Sequence, residues 1–182
     1  MIAPESGPFL FDTSAQSYLT SSDAPLEQQW MASYSMLFPV QISAVTVIER
    51  MRGYLLAREQ ADASRAATLM QVTEAYMASL RSVEVMALGS DEALVAAQLM
   101  ALLPKAPTPP RRSHRAAESR QDRLSRWRFD IMIAATALVH DMPLIHNNPR
   151  DFEPLRALIE GMPERFPGVG PLNLISVKRL AA

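Results

Sequence analysis

The chain has 182 residues, 48% hydrophobic and 20% charged, with a formal net charge of −1 and a pI near 6.3. Such a length suits one domain of roughly 100–200 residues, and such a composition can bury a core, which excludes a disordered or fibrous protein. The absence of cysteine excludes a disulfide framework and thiolate-based metal or redox chemistry. No apolar run approaches the ~18 residues that span a bilayer. The start, Met1-Ile2-Ala3-Pro4-Glu5, lacks the basic and apolar regions of a secretory signal, so a cytoplasmic protein without a membrane association is expected. With so little net charge, any nucleic-acid role must come from a local patch.

In chain order, Pro8 to Phe11 reads as a first short apolar strand that stops at Asp12-Thr13-Ser14, before a helical stretch to about Leu19. A second helix is predicted from about Ala24 to Met36, with Leu26, Trp30, Met31 and Tyr34 as its apolar face. Val40 to Val45 reads as the second strand, followed by a helix from Thr46 to about Arg58. An amphipathic helix from Ala61 to Leu80 places Ala66, Leu69, Met70, Thr73 and Met77 at helical spacing. Trp30, Tyr34, Met70 and Met77 are read as core. Val83 to Leu88 is the third strand and Asp91 to Leu103 its helix. Pro104 to Pro110 holds four prolines and cannot be regular structure. A basic stretch from Arg111 to Arg128 then leads into an apolar helix from Phe129 to His140. A strand at Pro143 to His146, a helix opening near Pro149, a loop from Met162 to Pro171 and a strand at Leu172 to Val177 complete the chain. Five strands alternating with helices predict an α/β fold, a three-layer α/β/α sandwich around a central, mainly parallel five-stranded sheet.

Ligands in such folds bind beyond the carboxyl ends of the strands. Asp12 ends the first strand, Glu49 lies one turn beyond the second, and Asn148 and Asp151 follow the fourth. Asp130 opens the apolar helix before it. Each acid has a bland explanation by itself. Thr46 to Glu49 matches a capping box, Asn148-Pro149-Arg150-Asp151 matches an N-cap with Pro and acid in the first turn, and Asp12 could cap the first helix. Together, converging carboxylates repel and raise one another's pKa unless a cation offsets them. A hard divalent ion with oxygen ligands and several waters resolves that without histidine or cysteine.

Four segments in order, Phe9 to Ser14, Ile42 to Glu49, Asp130 to Ala137 and Asn148 to Phe152, resemble the signatures of PIN domains, and most closely those of the VapC-type toxins of toxin–antitoxin systems. The resemblance covers nearly the whole chain, as a single PIN-like domain over 1–182 with a Pro/Arg-rich insertion at about 104–128. It implies an endoribonuclease whose Asp12, Glu49, Asp130 and Asp151 act as catalytic ligands of Mg²⁺ or Mn²⁺. Thr13, Ser14 and Asn148 would orient those ligands or water. It further implies a cognate antitoxin partner and a homodimer. The chain departs from the pattern at Ser14, often Asn in the family, and at His146-Asn147, usually Thr-Arg. His146 is read as a local hydrogen-bonding residue.

The basic stretch carries Arg111, Arg112, Arg115, Arg120, Arg123, Arg126 and Arg128 against Glu118 and Asp122. A solvated helix face is the bland reading of such a run. Because it leads directly to Asp130, phosphate contact by guanidinium groups is the favoured one, with Arg120, Arg123, Arg126 and Arg128 as RNA-binding residues. The alternatives are a PIN nuclease in RNA processing without an antitoxin, and a PIN scaffold that only binds protein. A phosphorylated receiver-like domain would need an acceptor Asp after the third strand, where Val85-Met86-Ala87-Leu88-Gly89 offers none.

Overall fold

A computed structural model of the chain describes residues 2–19, 23–107 and 119–181. The elements in order are β1 (Leu10–Phe11), α1 (Thr13–Leu19), α2 (Pro25–Ser35), β2 (Val40–Ser43), α3 (Ala44–Glu59), α4 (Ala63–Ser79), β3 (Val83–Met86), α5 (Ser90–Leu102), α6 (Arg120–Val139), β4 (Leu144–His146), α7 (Pro149–Gly161) and β5 (Leu174–Ser176). The five strands form one sheet in the order β3-β2-β1-β4-β5 with every pairing parallel, as the alternation of strands and helices predicts. None of the described helices is long and apolar enough to cross a membrane.

Side-chain alternation along the strands divides the core in two. Leu10 and Leu144 point into a cluster with Val95 and Leu99 of α5, Trp127, Ile131 and Ala135 of α6, and Phe152 and Leu155 of α7. Phe11 and Ile145, their neighbours in sequence, join Trp30 and Tyr34 of α2 on the opposite face. Tyr34 is fully buried, stacks on Trp30 at 5.3 Å and accepts a 3.0 Å hydrogen bond from the Phe9 N–H. Gly7 is required beside it, because a Cβ there would lie 2.8 Å from the Tyr34 ring.

Beyond shifts of a few residues at element ends, three points of the sequence reading are corrected, each for a local reason. The helix α3 begins at Ala44, because the Ser43 hydroxyl accepts from the Val45 N–H at 3.2 Å and caps it. Thr46 and Glu49 are therefore no capping box, since both already lie inside the helix. In α4 the inward side chains are Ala66, Leu69, Thr73 and Tyr76, whereas Met70 and Met77, read as core, are 49% and 48% exposed. Finally, the second half of the basic stretch and the apolar helix are one element: Ser119 accepts from the Asp122 N–H at 3.0 Å and starts α6 at Arg120, so Asp130 stands midway along it. Arg111, Arg112, Arg115 and Glu118 lie outside the described residues.

The helix α6 ends in a Schellman turn. The Met142 N–H reaches the Ala137 carbonyl at 2.9 Å and the Asp141 N–H that of Leu138 at 3.2 Å, with Asp141 in the left-handed region at φ 50°. Trp127 anchors its other half: it is buried, and its indole N–H donates to the Leu103 carbonyl at 2.9 Å. Trp127→Ala should cost about 3–5 kcal/mol through the cavity left between α5 and α6. Urea unfolding measures it, and a loss below about 1 kcal/mol would show that this packing does not hold α6 in place.

Candidate active site

The order β3-β2-β1-β4-β5 reverses direction between β1 and β4, and such a switch point opens a crevice beyond the strand ends. Asp12 follows β1 directly and is fixed there by its own N–H, which donates to the Ile145 carbonyl of β4 at 3.0 Å. Its carboxylate accepts from the Ala15 N–H at 2.5 Å and from the Ser14 hydroxyl at 2.7 and 3.0 Å, so it caps α1 as well. Ser14 in turn accepts from the Asn147 N–H at 3.1 Å, tying the end of β1 to the segment after β4.

A cavity of about 180 Å³ sits at this point, lined by Asp12, Thr13, Ser14, Ser17, Glu49, Arg126, Asp130, Ile133 and Asn148. The half-buried Glu49 enters from α3 and is held by the Thr13 hydroxyl, which donates to its Oε2 at 2.5 Å. Asp130 enters from α6, almost fully buried, and its Oδ2 has no hydrogen-bond partner. A 3.0 Å bond between the buried hydroxyls of Ser43 and Thr136 fixes the start of α3 against α6, and with it the relation of Glu49 to Asp130. The structure thus brings together three of the four acids expected from the sequence.

Asp151 is the exception. It is buried, accepts from Arg123 at 2.7 Å, from the Asn148 amide at 2.5 Å and from Arg126 at 3.5 Å, and does not line the cavity. The Asn148 side chain makes no cap on α7 and serves Asp151 instead. Of the arginines assigned to RNA, Arg120 and Arg128 are exposed and Arg126 lines the cavity. Arg123 is only 3% exposed, because its guanidinium is withdrawn into the ion pair with Asp151, so it presents no surface to a substrate. His146 is a local hydrogen-bonding group, its Nδ1 accepting from the Asn148 N–H at 3.2 Å. Burial, aided by the Arg156 charge, pushes its pKa down to about 4, so it is neutral near pH 7. Sequence reasoning missed Ser17 and Ile133 as cavity residues. Ser17 lies one helical turn after Thr13 and Ile133 nearly one after Asp130, and that spacing was the available signal.

The electrostatics of the cavity are those of crowded carboxylates that the Arg126 charge on its wall only partly offsets. Burial raises the Asp12 pKa to about 7 against the opposing hydrogen bonds from Ser14 and Ala15, with Glu49 adding to the rise. Asp130 is raised well above its ordinary value, first by burial and then by the charges of Asp151, Glu49 and Asp12. Among the described residues no group of three or more acidic or histidine side chains is gathered closely enough to hold a metal ion by itself. A Mg²⁺ ion does not require one, because it keeps several waters and uses few carboxylates. The all-oxygen donor set and the orphaned Asp130 Oδ2 fit such an ion.

Between 3.8 and about 7 the folded protein keeps a proton on Asp12 that the unfolded chain has released. Stability from this group is therefore full at acid pH and falls as pH rises through that window, and Asp130 acts in the same direction. His146, with its lowered pKa, acts the opposite way below about 6.5, so in EDTA the melting temperature should fall between about pH 6.5 and about pH 8, and added Mg²⁺ should raise it more at the higher pH, where the ligands are ionised. An equal Mg²⁺ effect at both values would contradict the raised carboxylate pKa values.

No curated protein gives a significant match to the chain. Among solved structures, it resembles VapBC2 from Rickettsia felis bound to a promoter DNA fragment, with a TM-score of 0.54 at 12% identity over 92% of this chain and 97% of that one. DNA-bound VapBC from Salmonella typhimurium gives 0.55 at 18% identity, over 93% and 97%. VapBC-1 from nontypeable Haemophilus influenzae gives 0.53 at 16% identity, over 93% and 98%. At these identities the likeness speaks for the fold. The profile of the PIN domain matches residues 9–157 and so takes in β1 through most of α7, all four acids included; the chain belongs to the PIN domain family.

Proposed function

We propose that this chain is a divalent-metal-dependent endoribonuclease and the toxin of a toxin–antitoxin pair. The observation that carries the proposal is the buried Asp130 oxygen without a partner, in a cavity shared with Asp12 and Glu49 at the switch point of a PIN-domain sheet. Asp12, Glu49 and Asp130 would hold Mg²⁺ or Mn²⁺. When bound, such an ion supplies charge stabilisation to phosphate oxygens and makes a water more acidic.

The chain's own residues prepare the rest. Ser14 and the Ala15 N–H orient the Asp12 carboxylate, and Thr13 orients Glu49. Ile133 gives the cavity an apolar wall and Arg126 a cationic one, suited to a phosphodiester. Neutral, buried His146 is not placed to relay protons. The structural neighbours are described as VapBC assemblies, one of them with promoter DNA, which supports a protein partner for this chain too. Exposed apolar residues Leu55 and Leu56 of α3 and Met70 and Met77 of α4 support a surface that a partner or a second copy covers. A cytoplasmic location accords with an RNA substrate.

Purified protein incubated with a mixed RNA pool should cut it with Mg²⁺ or Mn²⁺ and not with EDTA. Folded Asp12→Ala and Asp130→Ala variants should each lose at least about 100-fold in rate, the loss expected when electrostatic stabilisation of the reacting phosphate is removed. Full activity in either variant would place the chemistry elsewhere. An inert wild type, metal-loaded and free of partner, would turn the reading toward a protein-binding scaffold.

A further inference from the structure

The four acids of the sequence pattern do not stand in equivalent surroundings. Asp12, Glu49 and Asp130 line the cavity, and Asp130 Oδ2 has no donor. Asp151 does not line it, although its charge acts on Asp130; its Oδ1 is on Arg123 and its Oδ2 is shared by Asn148 and Arg126. The Arg123 and Asp151 side chains are 4% and 1% exposed, so this ion pair is desolvated, and such a pair persists only when further hydrogen bonds satisfy it. Arg126 differs from Arg123 in one respect: its side chain is 14% exposed and lines the cavity. Arg123, Arg126 and Asp130 are spaced three and four residues apart on α6, so they share one face of the helix.

We infer that Asp151 is a positioning residue and not a metal ligand. Locked by Arg123 and Asn148, it holds the Arg126 guanidinium at the cavity wall, where Arg126 grips a backbone phosphate of the RNA strand. This rests on the nuclease reading above. It assigns the cation to Asp12, Glu49 and Asp130 and the substrate's charge to Arg126. A guanidinium fixed from behind by a buried carboxylate loses less freedom on meeting a phosphate than a mobile one, which is how such a clamp strengthens binding.

Two measurements separate the roles, neither depending on turnover. The first is Mn²⁺ titration of the apo protein by calorimetry. D12N and D130N should each weaken Mn²⁺ binding at least about 100-fold, whereas D151N, which removes a charge acting on Asp130 but no ligand, should weaken it by no more than about tenfold. The second is binding of a labelled single-stranded RNA in EDTA, followed by fluorescence anisotropy across a salt series. R126A should weaken binding about tenfold and lower the slope of log K against log salt by about 0.7, the share of one phosphate contact. R126K should keep that slope while binding less tightly, since the charge remains and the fork is lost. D151N should weaken RNA binding as R126A does, and the R126A/D151N double variant should be no weaker than R126A alone.

Mn²⁺ binding lost in D151N as in D12N would overturn the inference, as would an unchanged salt slope in R126A. Circular dichroism checks each fold. Should D151N fail to fold, the salt slopes of R126A and R126K decide. A wild type that takes up Mn²⁺ and cuts RNA while R126A keeps its slope defeats this inference alone. A wild type that does neither defeats the nuclease reading and the inference together.

Discussion

Carboxylates taken out of water beside one another are unfavourable in any fold, and the cavity at the end of β1 gathers three. Two of them, Asp12 and Asp130, are buried, and each has its pKa driven upward with burial as the first cause. The protein compensates unevenly. Asp12 receives a backbone N–H and a hydroxyl, Glu49 a hydroxyl, and Asp130 Oδ2 nothing. Free energy is thus withheld at one identifiable atom, and that atom is the observation behind the proposed small, hard cation.

The surrounding structure is arranged to keep these groups from drifting apart. Parallel pairing sets β1 and β4 side by side with their carboxyl ends together. The helix α6 delivers Asp130 across that junction and is fixed on several sides. Trp127 bonds the Leu103 carbonyl, Thr136 bonds Ser43, and the buried Glu92 of α5 meets His140 at 2.9 Å while also accepting from the Gly89 N–H. One rigid helix therefore carries both Asp130 and the cationic side chains that pair with Asp151.

Much of this was legible in the sequence because it depends on short-range pattern. Apolar runs bounded by polar punctuation gave the strands, and acids placed just past them gave Asp12 and Glu49 as cavity residues. The errors have physical causes as well. Ser43 outcompeted Thr46 as a cap because its hydroxyl also met Thr136, 93 residues away, a contact invisible to local reading. Met70 and Met77 satisfied helical periodicity, yet Tyr76, one position from Met77, took the inward face, where it meets Tyr54 edge-on and Arg50 over its ring. Arg123 looked like every other arginine of a basic run. Only the tertiary placement of Asp151 showed that it points inward.

The shortness of β1 carries a further implication. Its two residues are wholly buried at the centre of the sheet, and the backbone on either side is held by Pro143, Ile145 and the Tyr34 hydroxyl. A segment so placed has no way to open by itself, because releasing it exposes both halves of the core at once, and amide exchange there reports global unfolding. The strand that delivers Asp12 to the cavity is thus tied to the stability of the whole protein. A molecule that controls this site has to work at its mouth, by filling or covering it, since melting that strand would cost the entire fold.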